Sequence, residues 1–222
     1  MGVVVLAFAV AAVGIYMLWE ARRLGVKRYR VSDSALPEAF SGLRIVYLTD
    51  VHHGIYLGIG RVRALVGRVN AMRPDLILLG GDYVGIRKQR IAPVFEELGK
   101  LEAPMGVFGV LGNHDHITDA AQCRKKAREN GISLIDNSAL RLVKDPAVIQ
   151  LAGVGDWESG DCDIPAMLRK TQKGLYTILL SHHPDVAVRL PQGRVNLMLA
   201  GHLHGGQITL FGLWAPVTPS EL

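Results

Sequence analysis

Short apolar segments alternate with amphipathic ones from Leu43 onward, and each apolar segment ends in a polar loop. The apolar segments are predicted to be strands over Leu43–Thr49, Leu76–Leu79, Val107–Leu111, Val148–Val154, Tyr176–Leu180 and Val195–Leu199. The segments between them have helical spacing and are predicted to be helices over Arg61–Met72, Ile91–Leu101, Asp119–Asn130 and Ile164–Lys173. Continuous apolar strands that alternate with helices are typical of an α/β protein with buried sheets and helices outside.

The N-terminal segment has a different pattern, because Val3 to Trp19 form 17 consecutive residues without a charge. As a helix this segment would span about 26 Å, close to the roughly 30 Å hydrocarbon core of a membrane. It lacks the basic start and the cleavage site of a signal peptide, and it has no polar stripe to face water. Tyr16 and Trp19 stand where aromatic residues gather at a membrane interface. Residues 3–19 are therefore predicted to enter a membrane.

Basic residues follow this segment directly. Positions 20–30 hold five of them against a single acid: Arg22, Arg23, Lys27, Arg28 and Arg30. They carry net +4 of the +5 of the whole chain, so the rest is nearly neutral and no nucleic-acid partner is expected. Positive charge behind an anchor faces the cytoplasm. We predict a single-pass anchor in the inner (cytoplasmic) membrane over residues 1–19, a basic connector over 20–42 and an α/β domain on the cytoplasmic side over 43–222.

The eight histidines form four close pairs, and each pair follows a predicted strand. The pairs are His52 with His53, His114 with His116, His182 with His183, and His202 with His204. A single histidine is more often a structural residue than a ligand. In α/β sheets, however, ligands bind at the carboxyl ends of the strands, so the pattern predicts that all four pairs converge on one rim.

Oxygen ligands accompany these histidines. Asp50 stands two positions before His52, Asp82 follows the second predicted strand, and Asn113 precedes His114. The two cysteines lie 39 positions apart without a C-x-x-C motif, which excludes a thiolate zinc site and a disulfide scaffold. Oxygen and imidazole ligands suit Mn, Fe or Zn. About seven such ligands suffice for two metals that share a bridging carboxylate, the arrangement used for displacement at phosphorus.

These motifs resemble, in order, those of the calcineurin-like metallophosphoesterase family. The resemblance covers residues 43–210 and rests on Asp50-Val51-His52, Gly81-Asp82, Gly112-Asn113-His114-Asp115, His182 and Gly201-His202-Leu203-His204. It implies a four-layer α/β/β/α sandwich with two divalent metal ions, Mn²⁺ by expectation and Fe or Zn as alternatives. By the same resemblance Asp50, His52, Asp82 and His204 hold one metal. Asp82 bridges to the second metal, which Asn113, His182 and His202 complete.

The remaining polar residues of these motifs have predicted roles around the metals. By the same resemblance His114 is not a ligand and stabilises the phosphate or protonates the leaving oxygen, and Asp115 orients it. The alternative for Asp115 is a loop cap. His53, His116 and His183 either contact the substrate phosphate or line a polar rim.

Two further features concern the substrate. Gly205-Gly206-Gln207 resembles a membrane-associated bacterial branch of the family that includes phosphodiesterases related to UDP-2,3-diacylglucosamine pyrophosphatases. The Asp-Arg pair that protein phosphatases of this superfamily carry after Gly81-Asp82 is absent, which argues against phosphoprotein substrates. The chain ends 18 residues after His204, whereas relatives usually continue through further strands, so we expect an incomplete sheet or substrate wall.

The sequence therefore predicts a two-metal hydrolase of phosphodiester or pyrophosphate bonds. Its expected substrate is a membrane nucleotide-lipid such as UDP-2,3-diacylglucosamine, because an anchor keeps the catalytic rim near lipid headgroups. A phosphodiesterase of soluble nucleotides or nucleic acids is the alternative enzyme, and a non-catalytic metal-binding scaffold is the alternative of another class. Monoester hydrolysis stays open, since the same metal core serves both reactions.

Overall fold

A computed structural model describes residues 2–20, 24–54, 57–204 and 220 of the chain. Several predictions fall outside these described residues. They concern Arg22 and Arg23, the Gly205–Gln207 motif, and the incomplete sheet expected after His204, where only Ser220 is described. The chain divides after Ser32 into two units, which are described separately. The predicted domain boundaries at 19 and 42 stay predictions.

The first unit contains a single described helix, α1 (Gly2–Glu20). Many of its apolar side chains are exposed, among them Val4, Leu6 and Phe8. Among the residues that the structure describes, no helix is long and apolar enough to cross a membrane. The helix predicted for the N-terminal segment is thus present, but its prediction as a transmembrane anchor over residues 1–19 is not supported.

The second unit contains two sheets. The strands of the first are all parallel, in the order β1 (Ile45–Leu48), β2 (Leu76–Leu79), β3 (Val107–Gly109) and β4 (Ser133–Leu134). The second sheet has the order β5 (Ser138–Lys144), β6 (Ala147–Gly153), β7 (Thr177–Ser181) and β8 (Leu197–Ala200). In the second sheet β5 pairs antiparallel to β6, and the other pairs are parallel.

In the part of this unit that the structure describes, four α-helices accompany the sheets. They are α2 (Ile59–Ala71), α3 (Ile91–Leu98), α4 (Asn113–Glu129) and α5 (Ile164–Lys170). The predicted helix Asp119–Asn130 is the second part of α4, since the extended backbone of Asp119 (φ −179°) interrupts the helix there. The pattern did not reveal β4, which has two residues, or the edge strand β5, whose side chains are mostly half-exposed.

Alternate residues of the central strands pack into different cores, which produces the four layers. Ile77 and Leu79 face α2, α3 and α4, whereas Leu76 and Leu78 face the second sheet. On the other side of that second sheet, Leu179 packs with Met167 of α5 and with Val186. Successive side chains of a strand point to opposite faces, so a strand that is apolar throughout must be covered on both. The predicted α/β/β/α architecture is confirmed in this unit.

An ion-paired glutamate fastens α3 to α2. Glu97 is only 6% exposed. Its carboxylate accepts a hydrogen bond from Arg63 Nη2 at 2.8 Å and forms an ion pair with Lys100 Nζ at 2.9 Å. These two cations lower the pKa of Glu97 to about 2. The charged carboxylate therefore stabilises the helix layer at neutral pH.

Candidate metal centre

The loops behind β1 and β8 build the first half of the centre. His52 Nε2 lies 3.1 Å from His204 Nε2, and His204 Nε2 lies 3.4 Å from Asp50 Oδ1. The two imidazole rings stack with their centroids 4.8 Å apart. Ring nitrogens and a carboxylate oxygen that face a common position are a donor set for a divalent metal. The structure thus brings together three of the four residues predicted to hold the first metal.

Asp82, directly behind β2, joins this half to a second one. Its Oδ2 lies 3.2 Å from His52 Nε2 and 3.4 Å from His182 Nε2. His182 Nε2 in turn lies 3.1 Å from Asn113 Oδ1, and its ring meets that of His202 with centroids 5.2 Å apart. A carboxylate oxygen between two groups of ligands could be shared by two metals. All seven predicted ligands therefore belong to one continuous cluster.

Five of these predicted ligands adopt the left-handed backbone conformation. They are Asp50 (φ 55°), His52 (φ 44°), Asp82 (φ 53°), His202 (φ 69°) and His204 (φ 49°). This conformation is uncommon outside glycine, costs about 1–3 kcal/mol per residue, and collects at functional sites.

Contacts between the loops hold this backbone in place. The Asp50 carboxylate accepts hydrogen bonds from Thr49 Oγ1 at 2.8 Å and from the backbone N–H of His202 at 3.1 Å. Gly201 lies so close to this pair that a Cβ there would collide with Thr49 Oγ1. The position therefore requires glycine, because the loops behind β1 and β8 approach each other backbone to side chain.

The environment of His182 fits a bound cation. Its Nδ1 donates to the carbonyl of Gly80 at 2.8 Å, which leaves Nε2 to face Asp82 and Asn113. Burial disfavours the imidazolium, but the hydrogen bond and charge of Asp82 outweigh burial and raise the pKa of His182 to about 9. The pocket thus favours positive charge at Nε2. His202 Nε2 is buried with no hydrogen-bond partner in the described part of the chain, as expected for a ligand atom that faces a metal position.

Asp115, in the first turn of α4, holds the loops of the centre together. It is fully buried. Its two oxygens accept hydrogen bonds of 2.8 to 3.3 Å from four backbone N–H groups, those of Asp82, Tyr83, Val84 and Gly112. Burial and the charge of Asp82 raise the pKa of Asp115 to about 8, although these donors favour its charged form. The contacts are those of a loop clamp, and the predicted orientation of His114 by Asp115 stays a prediction.

His114 stands beside the first half of the centre. Its ring meets the His52 ring edge-on, with centroids 4.6 Å apart, and its backbone N–H donates to Asp82 Oδ1 at 2.9 Å. Its Nδ1 is buried and makes no hydrogen bond to the described residues. The structure therefore places an imidazole beside the first half of the centre, and the role predicted for His114 at the phosphate stays a prediction.

The remaining three histidines lie at different depths around the centre. His53 is fully buried, and its Nδ1 lies 2.8 Å from a backbone carbonyl oxygen. His116 Nε2 lies 3.7 Å from Asp161 Oδ2. His183 packs on His202 with ring centroids 4.3 Å apart. The predicted substrate contacts of all three stay predictions, and the burial of His53 gives its contact no support.

Glu158 belongs to the site, and the sequence analysis did not identify it. Its Oε2 accepts a hydrogen bond from Asn113 Nδ2 at 2.7 Å, and its Oε1 lies 3.5 Å from His202 Nε2. The available signal was its place in the loop that follows the predicted strand Val148–Val154, because strand ends meet at the rim. A single glutamate in a polar loop has no motif around it, so this signal does not separate Glu158 from its neighbours.

Comparison with known proteins agrees with this geometry. Residues 43–206 match the calcineurin-like phosphoesterase family. The chain belongs to this family. The resemblance drawn from its five motifs is thus confirmed, and the chain is a metal-dependent phosphoesterase. Calcineurin-like phosphoesterases bind divalent metals, and the donor clusters described above fit such ions.

Several curated proteins are similar to this calcineurin-like chain. The uncharacterized metallophosphoesterase YkuE of Bacillus subtilis is 31% identical over 204 residues, which cover 90% of this chain and 71% of YkuE. The phosphodiesterase YaeI of Escherichia coli is 28% identical over 193 residues, covering 85% and 68%. A transmembrane protein with metallophosphoesterase domain of Danio rerio is 31% identical over 186 residues, covering 78% of this chain but only 43% of that protein.

Solved structures support the fold alone. The 5'-nucleotidase precursor of Thermus thermophilus superposes with a TM-score of 0.52 at 16% identity, covering 73% of this chain and 42% of that one. At this identity the likeness extends to the calcineurin-like sandwich, and it carries no statement about substrate.

Proposed function

We propose that the chain hydrolyses a phosphodiester or pyrophosphate bond with two divalent cations, Mn²⁺ by preference, in a substrate that carries an apolar group. The observation that carries the two-metal part is the position of Asp82 Oδ2, 3.2 Å from His52 Nε2 and 3.4 Å from His182 Nε2. A family relative named as a phosphodiesterase supports the choice of a diester.

The residues of the site divide the chemical work between them. When bound, two divalent cations polarise water and neutralise charge on the phosphoryl oxygens. Asp50, His52 and His204 hold the first position, and Asp82 is shared by both. Asn113, His182 and His202 hold the second position. His114 is not needed as a ligand, and its imidazole donates a proton or a hydrogen bond to the leaving oxygen.

An exposed apolar lip next to the site supports the apolar substrate. Ile86 is 75% exposed and Ile117 is 69% exposed. Their loops are joined by the hydrogen bond from Thr118 Oγ1 to the carbonyl of Gly85. Ile117 lies three residues after His114 in α4, about one helical turn from it.

Cationic side chains stand beside this lip. Arg87 and Arg90 line a cavity of about 450 Å³ directly after Ile86 in the chain. Apolar and cationic groups side by side match a lipid that carries phosphates at its headgroup. A nucleotide-lipid such as UDP-2,3-diacylglucosamine has apolar acyl chains and phosphates in its headgroup.

We place this activity at the cytoplasmic face of the inner membrane. The support is the exposed apolar surface of α1, the basic residues Lys27, Arg28 and Arg30 behind it, and a relative named as a transmembrane protein. Attachment through residues 3–19 is part of this proposal, including the single-pass anchor that the described helices do not support.

The test uses the full chain with Mn²⁺ and compares two substrates, UDP-2,3-diacylglucosamine in vesicles and a soluble aryl phosphodiester. Release of UMP from UDP-2,3-diacylglucosamine in vesicles, lost in His114→Ala, is the expected result. Replacement of both isoleucines (Ile86→Ser with Ile117→Ser) is expected to lower the ratio of lipid to aryl-diester turnover about tenfold, by removing apolar contact area. Cleavage of the soluble diester alone would reject the lipid part and favour soluble nucleotides. No cleavage of either substrate would reject the proposed hydrolase.

A further inference from the structure

Glu158 reaches the second half of the metal centre from the loop between β6 and α5. Its Oε2 accepts the hydrogen bond from Asn113 Nδ2 at 2.7 Å. Its Oε1 lies 3.5 Å from His202 Nε2 and 4.0 Å from His183 Nε2. A carboxylate oxygen and two imidazole nitrogens within reach of one another could hold a cation.

We infer that Glu158 is a protein ligand of the second metal position, in addition to the residues of the family motifs. This inference rests on the two-metal site proposed above. Oε1 of Glu158 binds the cation next to His202, while Oε2 keeps Asn113 in the orientation that ligation requires. No motif of the sequence contains Glu158.

The orientation of Asn113 is the first argument. An amide has one oxygen and one nitrogen end, and only the oxygen can bind a cation. The carboxylate of Glu158 accepts from Nδ2 and so directs Oδ1 towards His182 Nε2, 3.1 Å away. Without an acceptor on this side, the amide could turn its nitrogen into the centre.

The unpaired ring nitrogen of His202 is the second argument. The residue is 8% exposed, and its Nε2 has no hydrogen-bond partner among the described residues. The nearby Glu158 oxygen, at 3.5 Å, is beyond a good hydrogen bond, so it leaves this nitrogen available to a cation that both atoms could reach. A buried polar nitrogen without a partner costs about 1–3 kcal/mol, which a bound cation would offset.

The distribution of charge is the third argument. The first position has the carboxylate of Asp50 as well as a share of Asp82. The second position, from the motif residues alone, has only the share of Asp82 together with neutral ligands. With Glu158, each cation has one carboxylate of its own, which balances the charge of two divalent ions more evenly.

The loop around Glu158 is held firmly, so its reach is a property of the fold. The Asp156 carboxylate accepts a hydrogen bond from the backbone N–H of Ser159 at 2.7 Å. The backbone carbonyl of Asp156 accepts one from the backbone N–H of Asp161 at 3.1 Å. The side-chain oxygen of Asn137 accepts from the backbone N–H of Gly155 at 2.8 Å. These bonds fix both ends of the turn that carries the glutamate.

The test is a calorimetric titration of the metal-free full chain with Mn²⁺ and no substrate. Glu158→Gln keeps the size of the side chain and an acceptor for Asn113 Nδ2, but it removes the charge. The matched control is Glu102→Gln. Glu102 is an exposed glutamate that lies outside every ligand motif of the sequence. We expect Glu158→Gln to bind its first equivalent as the wild type does and its second about tenfold or more weakly. Glu102→Gln should bind both equivalents as the wild type does.

Electron paramagnetic resonance gives a second readout. At two equivalents of Mn²⁺, the wild type should show the signal of coupled ion pairs, and Glu158→Gln should show mainly single ions. Wild-type binding of the second equivalent by Glu158→Gln, or equal weakening of both equivalents, would overturn the inference.

The outcome for Glu158 can be separated from that for the proposed function. Loss of the second equivalent in Glu158→Gln would support the ligand role even if no phosphodiester is cleaved by the wild type. Unchanged binding in Glu158→Gln, together with cleavage by the wild type, would overturn the ligand role alone.

Discussion

The clamp formed by Asp115 leads to a direct prediction about stability. In Asp115→Asn, one of the two carboxylate oxygens becomes an amino group that cannot accept a hydrogen bond. Each oxygen of Asp115 accepts from two backbone N–H groups, so two of the four donors lose their acceptor. Because the residue is fully buried, water cannot replace it.

The expected loss follows from the cost of unpaired buried groups. Each buried N–H without an acceptor costs about 1–3 kcal/mol, so the free energy of unfolding should fall by about 2–6 kcal/mol. That is a large part of the roughly 5–15 kcal/mol that stabilises a folded domain. With a denaturant slope of about 3 kcal/mol per M in urea, the midpoint should fall by about 0.7–2 M.

Urea unfolding of the metal-free protein at a pH above the pKa of Asp115, about 8, followed by circular dichroism, measures this loss. The control is Asp163→Asn, since Asp163 caps α5 through the N–H of Ala166 and asparagine caps equally well. It should change stability by less than about 0.5 kcal/mol. If Asp115→Asn lost less than about 1 kcal/mol with an unchanged slope, the clamp would not have the role that its hydrogen bonds imply.

Three further results are expected. The pKa of Glu97 is lowered from 4.5 to about 2, so the wild type should lose stability as the pH falls from about 4.5 towards 2. Thermal melts of Glu97→Gln should lack this loss, and a parallel decline would contradict the assignment. Gly201→Ala should weaken Mn²⁺ binding, because the new Cβ would collide with Thr49. Gly67→Ala is the glycine control: its Cβ would stand in open space on α2, and the change should raise the free energy of unfolding by about 1 kcal/mol. When the free Mn²⁺ concentration is a hundred times the Kd, removal of the metal with EDTA should cost about 2.7 kcal/mol for each bound ion, or about 5–10 °C in Tm per ion, and Mn²⁺ should restore the loss.

Much of the site could be predicted because its residues stand at the ends of strands. Each apolar segment is readable from its own few residues, and the polar residue behind it is placed by the direction of the strand. Asp50, His52 and Asp82 were singled out in this way, and the family match covers the motifs that contain them. The four layers followed from strands that are apolar on both faces.

Other features could not be predicted, since their cause lies far away along the chain. The edge strand β5 lacks a continuous apolar pattern and is defined by its pairing with β6. Asp115 accepts hydrogen bonds from backbone N–H groups about 30 positions earlier in the chain. Glu158 meets Asn113 across 45 positions, and nothing in either local pattern indicates that contact.

By itself, the sequence determined the kinds of ligand, their order and the strands that carry them, because these depend on residue type and local periodicity. Only the tertiary structure decided which atoms face each other. His52 and His204 lie 152 positions apart, yet their ring nitrogens are separated by 3.1 Å. Such a distance results from the packing of two sheets and from backbone held in a strained conformation, and no local pattern encodes either.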